Sequence, residues 1–173
     1  MKVKYIPKLK KHHNVPDFHL PATDGSLKTI SYFKQRSNVV LYFFERADCN
    51  TCQAKLKTFK SKAKRFDDLN AIIFAISSEP IEKLKKLKSD LGLPFELLSD
   101  ADLKVSTIYT YKKKEVSEVV PSIFVIDKFN SLRDQVIVHK DEGLPSIQEI
   151  IRLLLAIEIE CPECGFFPGS TGI

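Results

Sequence analysis

Four cysteines stand in this chain as two pairs, Cys49-Asn-Thr-Cys52 and Cys161-Pro-Glu-Cys164. Two thiols three residues apart can cycle as a dithiol–disulfide couple, or they can offer two soft ligands to a metal. A structural disulfide framework, the ordinary reading of paired cysteines in a small secreted protein, does not suit this chain. Lys2, Lys4, Lys8, Lys10, Lys11 and Pro7 interrupt the stretch where the apolar core of a signal peptide would have to lie. The longest clean apolar run, about Val39–Phe44, is far short of the roughly 18 residues a membrane helix needs. The expected location is therefore the cytoplasm, where paired thiols serve redox or metal chemistry.

Position separates the two pairs. Asn38-Val-Val-Leu-Tyr-Phe-Phe44 is nearly all apolar, the mark of a central strand covered on both faces. From Thr51 to about Leu69 the period changes, and Leu56, Phe59, Ala63, Phe66 and Leu69 form a helical stripe with lysines mostly on the wet side. Cys49 thus sits where a buried strand feeds a helix. The unpaired amides and dipole of a helix N-terminus stabilise a thiolate, the species that attacks disulfides. Cys52 lies one turn on, within reach of an intramolecular disulfide. Asp48 should raise the Cys49 thiol pKa, whereas Arg46 and the dipole should lower it.

The remaining pattern predicts a strand over 71–76 and a helix on Ile81, Leu84, Leu87 and Leu91 that stops at Gly92. A short strand at 94–98 and a helical segment at 103–111 follow. Strands at 122–126 and 135–139 pair across the loop 127–134. Ser146 and Glu149 form a capping box that opens a last helix reaching about Glu160. Strand–helix alternation closed by a hairpin and a helix predicts an α/β fold, a central mixed sheet covered on both sides. Residues 1–14 read as a basic, partly mobile arm, 15–160 as the folded domain, and 161–173 as a tail carrying the second cysteine pair.

The segment Val15-Pro-Asp-Phe-His-Leu-Pro-Ala-Thr-Asp-Gly25, the buried strand, Cys49-x-x-Cys52 and Val120-Pro-Ser-Ile-Phe-Val-Ile-Asp127 together resemble the redoxin group of the thioredoxin-fold superfamily. That group includes the peroxiredoxins (alkyl hydroperoxide reductase and thiol-specific antioxidant proteins) and the thioredoxin-like disulfide reductases. The resemblance implies a thioredoxin-like three-layer fold over about residues 15–160. Peroxiredoxins carry Pro-x-x-x-Thr-x-x-Cys, whose cysteine attacks peroxide. Aligned on Cys52, this chain has Glu45 in place of that proline and Cys49 in place of the threonine, and Pro121 stands where an arginine is expected. The threonine and arginine hold peroxide through hydrogen bonds worth roughly 1.5–3 kcal/mol each when charge-assisted.

These departures turn the expectation toward thioredoxin-type exchange. Cys49 would be the exposed nucleophile, Cys52 the resolving thiol, and Pro121 a cis proline beside the disulfide that leaves the preceding backbone free for a substrate strand. The alternative is a peroxidase in which Cys52 attacks peroxide and Cys49 resolves the sulfenic acid. A third reading is a non-catalytic module whose cysteines hold metal. The resemblance implies no organic cofactor. Expected partners are protein disulfides or a thioredoxin-type reductant, and a homodimer is compatible with the chain.

Cys161-Pro-Glu-Cys164 resembles one knuckle of a rubredoxin or zinc-ribbon site, which needs four ligands. It could hold zinc or iron only if a second chain or a partner completed the site; an auxiliary redox pair is the competing reading. The last helix should start near the dithiol and run away from it, placing Cys161 roughly 20 Å off. His12, His13, His19 and His139 show no ligand spacing, and Asp127, at a strand end, reads as a turn residue. The net charge of +5 is local. Five of the 27 basic residues fall in residues 1–13 with no acid among them, and the other 160 residues carry 22 of each sign. A basic tip on a neutral body does not make a nucleic-acid face.

Overall fold

A computed structural model describes residues 5–160. The strand predicted from the apolar run is β3, Asn38–Phe43, and every residue of it is buried. Two short strands precede it, β1 (His19–Pro21) and β2 (Leu27–Thr29). They form an antiparallel hairpin whose turn places Gly25 at φ 86°, a conformation glycine adopts without steric cost. Helices α1 (Asn50–Ser61) and α2 (Ala63–Asp68) follow, then β4 (Ala71–Ser77), α3 (Ile81–Leu91) and β5 (Glu96–Ser99). The chain continues through α4 (Lys104–Tyr109), β6 (Ser122–Ile126), β7 (Leu132–Ile137) and α5 (Ile147–Ile159).

The main sheet has the order β5-β4-β3-β6-β7. Strand β3 is parallel to β4 and antiparallel to β6, so the sheet is mixed as expected. Alternation along β3 divides the core. Val40, Tyr42 and Phe44 face Leu56 and Phe59 of α1, Phe66 of α2, Leu84 and Leu87 of α3, and the apolar stripe of α5. Val39, Leu41 and Phe43 face Tyr109 of α4, the β1–β2 hairpin and the segment around Val15 and Phe18. A strand with period-2 side chains and two covered faces has to be apolar throughout, which is why the sequence signal was continuous.

Three predicted elements differ in extent. The helix over 51–69 is broken at Lys62, whose backbone (φ −116°, ψ 12°) leaves the α-region while its N–H bonds the Lys60 and Phe59 carbonyls. Ser61 Oγ donates back to the Thr58 carbonyl at 2.7 Å, a local competitor of helical continuation. The stripe Leu56, Phe59, Phe66, Leu69 remains buried across the break, so periodicity alone could not reveal it. The strand expected at 135–139 begins earlier, at Leu132. A register shift at Val125/Ile126 brings Leu132 opposite Ile126, and the Leu132 N–H is taken by the His13 carbonyl. The lysine-rich segment is docked from Tyr5 onward. Tyr5 packs on Tyr111, Lys8 donates to the Thr107 carbonyl, Gln135 donates to the Leu9 carbonyl, and Lys11 pairs with Asp134 at 2.7 Å.

Gly92 ends α3 in the left-handed region (φ 60°), and the Ser146–Glu149 capping box opens α5 with both of its bonds made. Helix α5 starts beside α1, where Lys55 donates to the Pro145 carbonyl at 2.6 Å. It ends beside the first residue of β3, where Asn38 donates to Glu158 at 2.6 Å. It therefore runs away from the dithiol end of the sheet. Cys161, Cys164 and the rest of the tail lie outside the described residues. Among the described residues no helix is long and apolar enough to cross a membrane.

Candidate active site

The loop from β3 into α1 is tied down on both sides. The Phe44 N–H continues the ladder to the Ile76 carbonyl. Gln53 of α1 donates to the Ala47 carbonyl at 2.6 Å, and Ser77 Oγ donates to the Glu45 carbonyl at 3.4 Å. This leaves Cys49 as the N-cap of α1, with an extended backbone (φ −77°, ψ 118°). Its Sγ accepts the Cys52 N–H at 3.3 Å, in the role that serine or aspartate usually fills at a helix start. Cys49 is half-buried and Cys52 is fully buried. The two sulfurs approach to 2.6 Å.

A third group completes the site, and it came from a part of the sequence that carried no signal. The short 3-10 turn Asp141–Gly143 packs against α1 and brings the Asp141 carboxylate to the sulfurs. Cys52 Sγ donates to Asp141 Oδ2 at 3.4 Å, Thr51 Oγ1 donates to the same oxygen at 3.1 Å, and the Tyr42 hydroxyl donates to Oδ1 at 2.9 Å. Asp141 lies 89 residues from Cys52 in the chain. No spacing rule connects them. The one available hint was Tyr42, a hydroxyl on a strand buried on both faces, which must find a partner.

The electrostatics set the two ends of the site apart. Burial pushes the Cys52 thiol far above the ordinary thiol range, helped by the Cys49 sulfur and the Asp141 charge. The backbone N–H groups of Arg46 and Glu45 act the other way. Burial, with Cys52 and Asp141 adding to it, likewise raises Tyr42. At the rim, Asp48 and then Glu118 hold the Arg46 guanidinium in its charged form, at 3.3 and 3.4 Å. Lys113 bridges Glu45 at 2.8 Å and Glu118 at 3.7 Å. Asp48 and Arg46, the two charges that flank Cys49 in sequence, are thus paired with each other.

The raised Cys52 thiol has a measurable consequence. A group whose folded pKa lies above its unfolded value contributes stability below the unfolded pKa and loses it as pH rises beyond. For a thiol that threshold is about 8.5. The reduced protein should therefore lose thermal stability relative to its disulfide form as pH rises above about 8.5, because only the reduced form has a Cys52 proton to lose. Melting temperatures of both forms across that range check this; Tyr42 and Tyr109, also raised by burial, titrate in both.

Pro121 is buried immediately before β6, next to Ser122, whose partner across the sheet is Phe43 near the dithiol end of β3. Its expected geometry is corrected. No peptide bond among the described residues is cis. Nor is the preceding backbone free for a substrate strand, since the Val120 N–H donates to the Tyr111 carbonyl and the Val120 carbonyl accepts from Ser122 Oγ. The bridge Lys112–Val119 closes this local hairpin and uses up the backbone in question. Asp127 is a turn residue, accepting from the Phe129 and Ser131 N–H groups. All four histidines are exposed. For a metal, Cys49, Cys52 and Asp141 offer one atom each within 4.8 Å of one another, and among the described residues no fourth cysteine, histidine or carboxylate joins them. Structural zinc sites close with four.

A mixed sheet with a dithiol capping the helix after its central strand defines a thioredoxin-fold redoxin. Comparisons with known proteins narrow this. The model of the AhpC/TSA family matches residues 12–135, and the chain belongs to that family of thiol-dependent oxidoreductases. Its relatives include the protein Bcp of Helicobacter pylori, 32% identical over 131 residues, covering 70% of this chain and 84% of that one. Peroxiredoxin Bcp of Bacillus subtilis is 31% identical over 119 residues, covering 65% and 75%. Among solved structures, peroxidoxin BcpB from Mycobacterium tuberculosis superposes with a TM-score of 0.77 at 27% identity, over 86% of this chain and 98% of that one.

Proposed function

We propose that this chain is a thiol peroxidase in which Cys52 attacks the peroxide and Cys49 resolves the product. The sequence departures at Glu45, Cys49 and Pro121 favoured general disulfide exchange, but the relatives point toward peroxide reduction. The observation that carries the reading is the place of Cys52. It stands in the first turn of the helix after β3, where the family keeps its attacking cysteine, with the Cys49 sulfur 2.6 Å away. The Cys52 sulfur bonds to one peroxide oxygen and the O–O bond breaks, leaving an alcohol or water and a sulfenic acid. Cys49 then displaces the sulfenic oxygen as water, and the disulfide closes without any rearrangement of the fold. Two thiols and one peroxide become one disulfide, one alcohol and one water. A thioredoxin-type reductant restores the thiols.

A second reading rests on accessibility. Cys49 is the less buried sulfur and receives the Cys52 N–H, which suits it to attack a protein disulfide. The two readings part in one assay. The reduced protein should consume one equivalent of peroxide and lose two mass units as the disulfide forms, and insulin should be reduced slowly by comparison. Rapid insulin reduction without peroxide consumption would reverse the order.

A further inference from the structure

We infer that Asp141 is a catalytic residue, the base that takes the Cys52 proton whenever Cys52 forms a bond to oxygen or sulfur. Three observations place it there. Asp141 Oδ2 is 3.4 Å from the Cys52 sulfur and is, with the Cys49 sulfur at 2.6 Å, one of the two acceptors within reach of its single S–H. The carboxylate is held in that orientation from two elements, by the Tyr42 hydroxyl of β3 on Oδ1 and the Thr51 hydroxyl of α1 on Oδ2. And Cys52 is fully buried, so bulk water does not reach its proton directly. A buried thiol with an oriented carboxylate against it is an arrangement for proton transfer rather than for a standing thiolate.

The need for such a group follows from what this chain lacks. The threonine and arginine that hold peroxide in the related motif are replaced by Cys49 and Pro121. A side chain must still remove the thiol proton and deliver one to the departing oxygen. Asp141 can do both. As the S–O bond forms, the Cys52 proton passes to Oδ2; as the O–O bond breaks, the same proton passes to the leaving oxygen, giving alcohol or water. In the second step the Cys49 proton leaves with the sulfenic oxygen as water. The Thr51 hydroxyl, 3.1 Å from both Cys49 Sγ and Asp141 Oδ2, lies on the route between them.

The inference concerns Cys52 alone and is chosen to be tested apart from the peroxidase reading. With 5,5′-dithiobis(2-nitrobenzoate), in a Cys161→Ser, Cys164→Ser background that leaves only the site pair, the accessible Cys49 forms a mixed disulfide and releases one thionitrobenzoate. The second release reports attack by Cys52 on the Cys49 sulfur, a step that needs the Cys52 proton removed whatever the natural substrate. The groups facing the pair are Tyr42 from β3 and Cys49, Thr51 and Lys55 from α1, with Arg46 and Glu149 beyond them. With the base present, the rate of second release should be nearly flat between about pH 6 and 8, because the Cys52 proton passes to the adjacent carboxylate rather than to hydroxide from solvent. In Asp141→Asn only free thiolate reacts, so the rate should rise about tenfold per pH unit, an approximately 100-fold change across that window. Asp141→Glu should restore part of the flat profile. Equal slopes in the wild type and Asp141→Asn would overturn the inference, since with a purely electrostatic or structural role both proteins react through free thiolate and both rates rise about tenfold per pH unit below the thiol's titration. If peroxide is not consumed while these slopes differ, the peroxidase reading fails and the base remains.

Discussion

Replacing Cys52 by serine is expected to abolish peroxide reduction, lowering the rate by a factor on the order of 10³ or more, as loss of a nucleophile does. Serine keeps the shape, and its hydroxyl can still donate to Asp141, so the fold and the capping of α1 by Cys49 should survive. Cys49→Ser should behave differently. It retains the attacking thiol and should consume one equivalent of peroxide in a single turnover. The product then stops at the sulfenic acid, which a dimedone label would capture on Cys52. Multiple turnover with a thioredoxin-type reductant should fall steeply, because among the described residues no other thiol lies beside Cys52 to close the disulfide. Stopped-flow peroxide consumption and intact-mass measurement separate the two variants. Activity surviving in Cys52→Ser and lost in Cys49→Ser would assign the attack to Cys49, the more accessible sulfur.

The largest effect on stability is expected from Phe59→Ala. Phe59 has no solvent exposure and sits on the inner face of α1. Its ring meets Tyr42 at 5.8 Å, Phe66 at 5.7 Å and Phe95 at 6.4 Å, so it joins β3, α2 and the entry to β5 to the helix that carries the dithiol. Truncating such a ring costs about 3–5 kcal/mol, from lost transfer energy and the cavity left behind. For a chain of this size that corresponds to a fall in melting temperature of roughly 10 °C. Thermal or denaturant unfolding of the reduced protein measures it. The site should also be loosened, because Tyr42 packs on Phe59 and holds Asp141 with its hydroxyl. A loss under about 1 kcal/mol would show that the neighbouring rings collapse into the space.

The strands and helices were largely legible because each has a single dominant cause. β3 is apolar at every position since both faces are covered, and α3 runs from just after Pro80 to Gly92 with its stripe intact. The β1–β2 hairpin leaves no mark in the sequence, since three-residue strands show too little alternation to stand out from a loop. The break at Lys62 was hidden because the core contacts continue through it. The occupied backbone before Pro121 depends on a local hairpin, 112–119, that has no strong pattern of its own.

The reactive pair belongs to the other side of the account. A cysteine after a buried strand and a second one turn later are local facts, and local geometry delivers both to one helix start. Those residues by themselves point to redox or metal chemistry, and the strand–helix junction favours redox. How the Cys52 proton is moved depends on a carboxylate 89 residues away, brought to the sulfurs by the 3-10 turn that follows β7. Backbone hydrogen bonding and hydrophobic periodicity act over a few residues and can be read along the chain. The proton of a buried thiol responds to whatever the folded chain places within hydrogen-bonding distance, and that was decided by the packing of the 3-10 turn at Asp141 against α1.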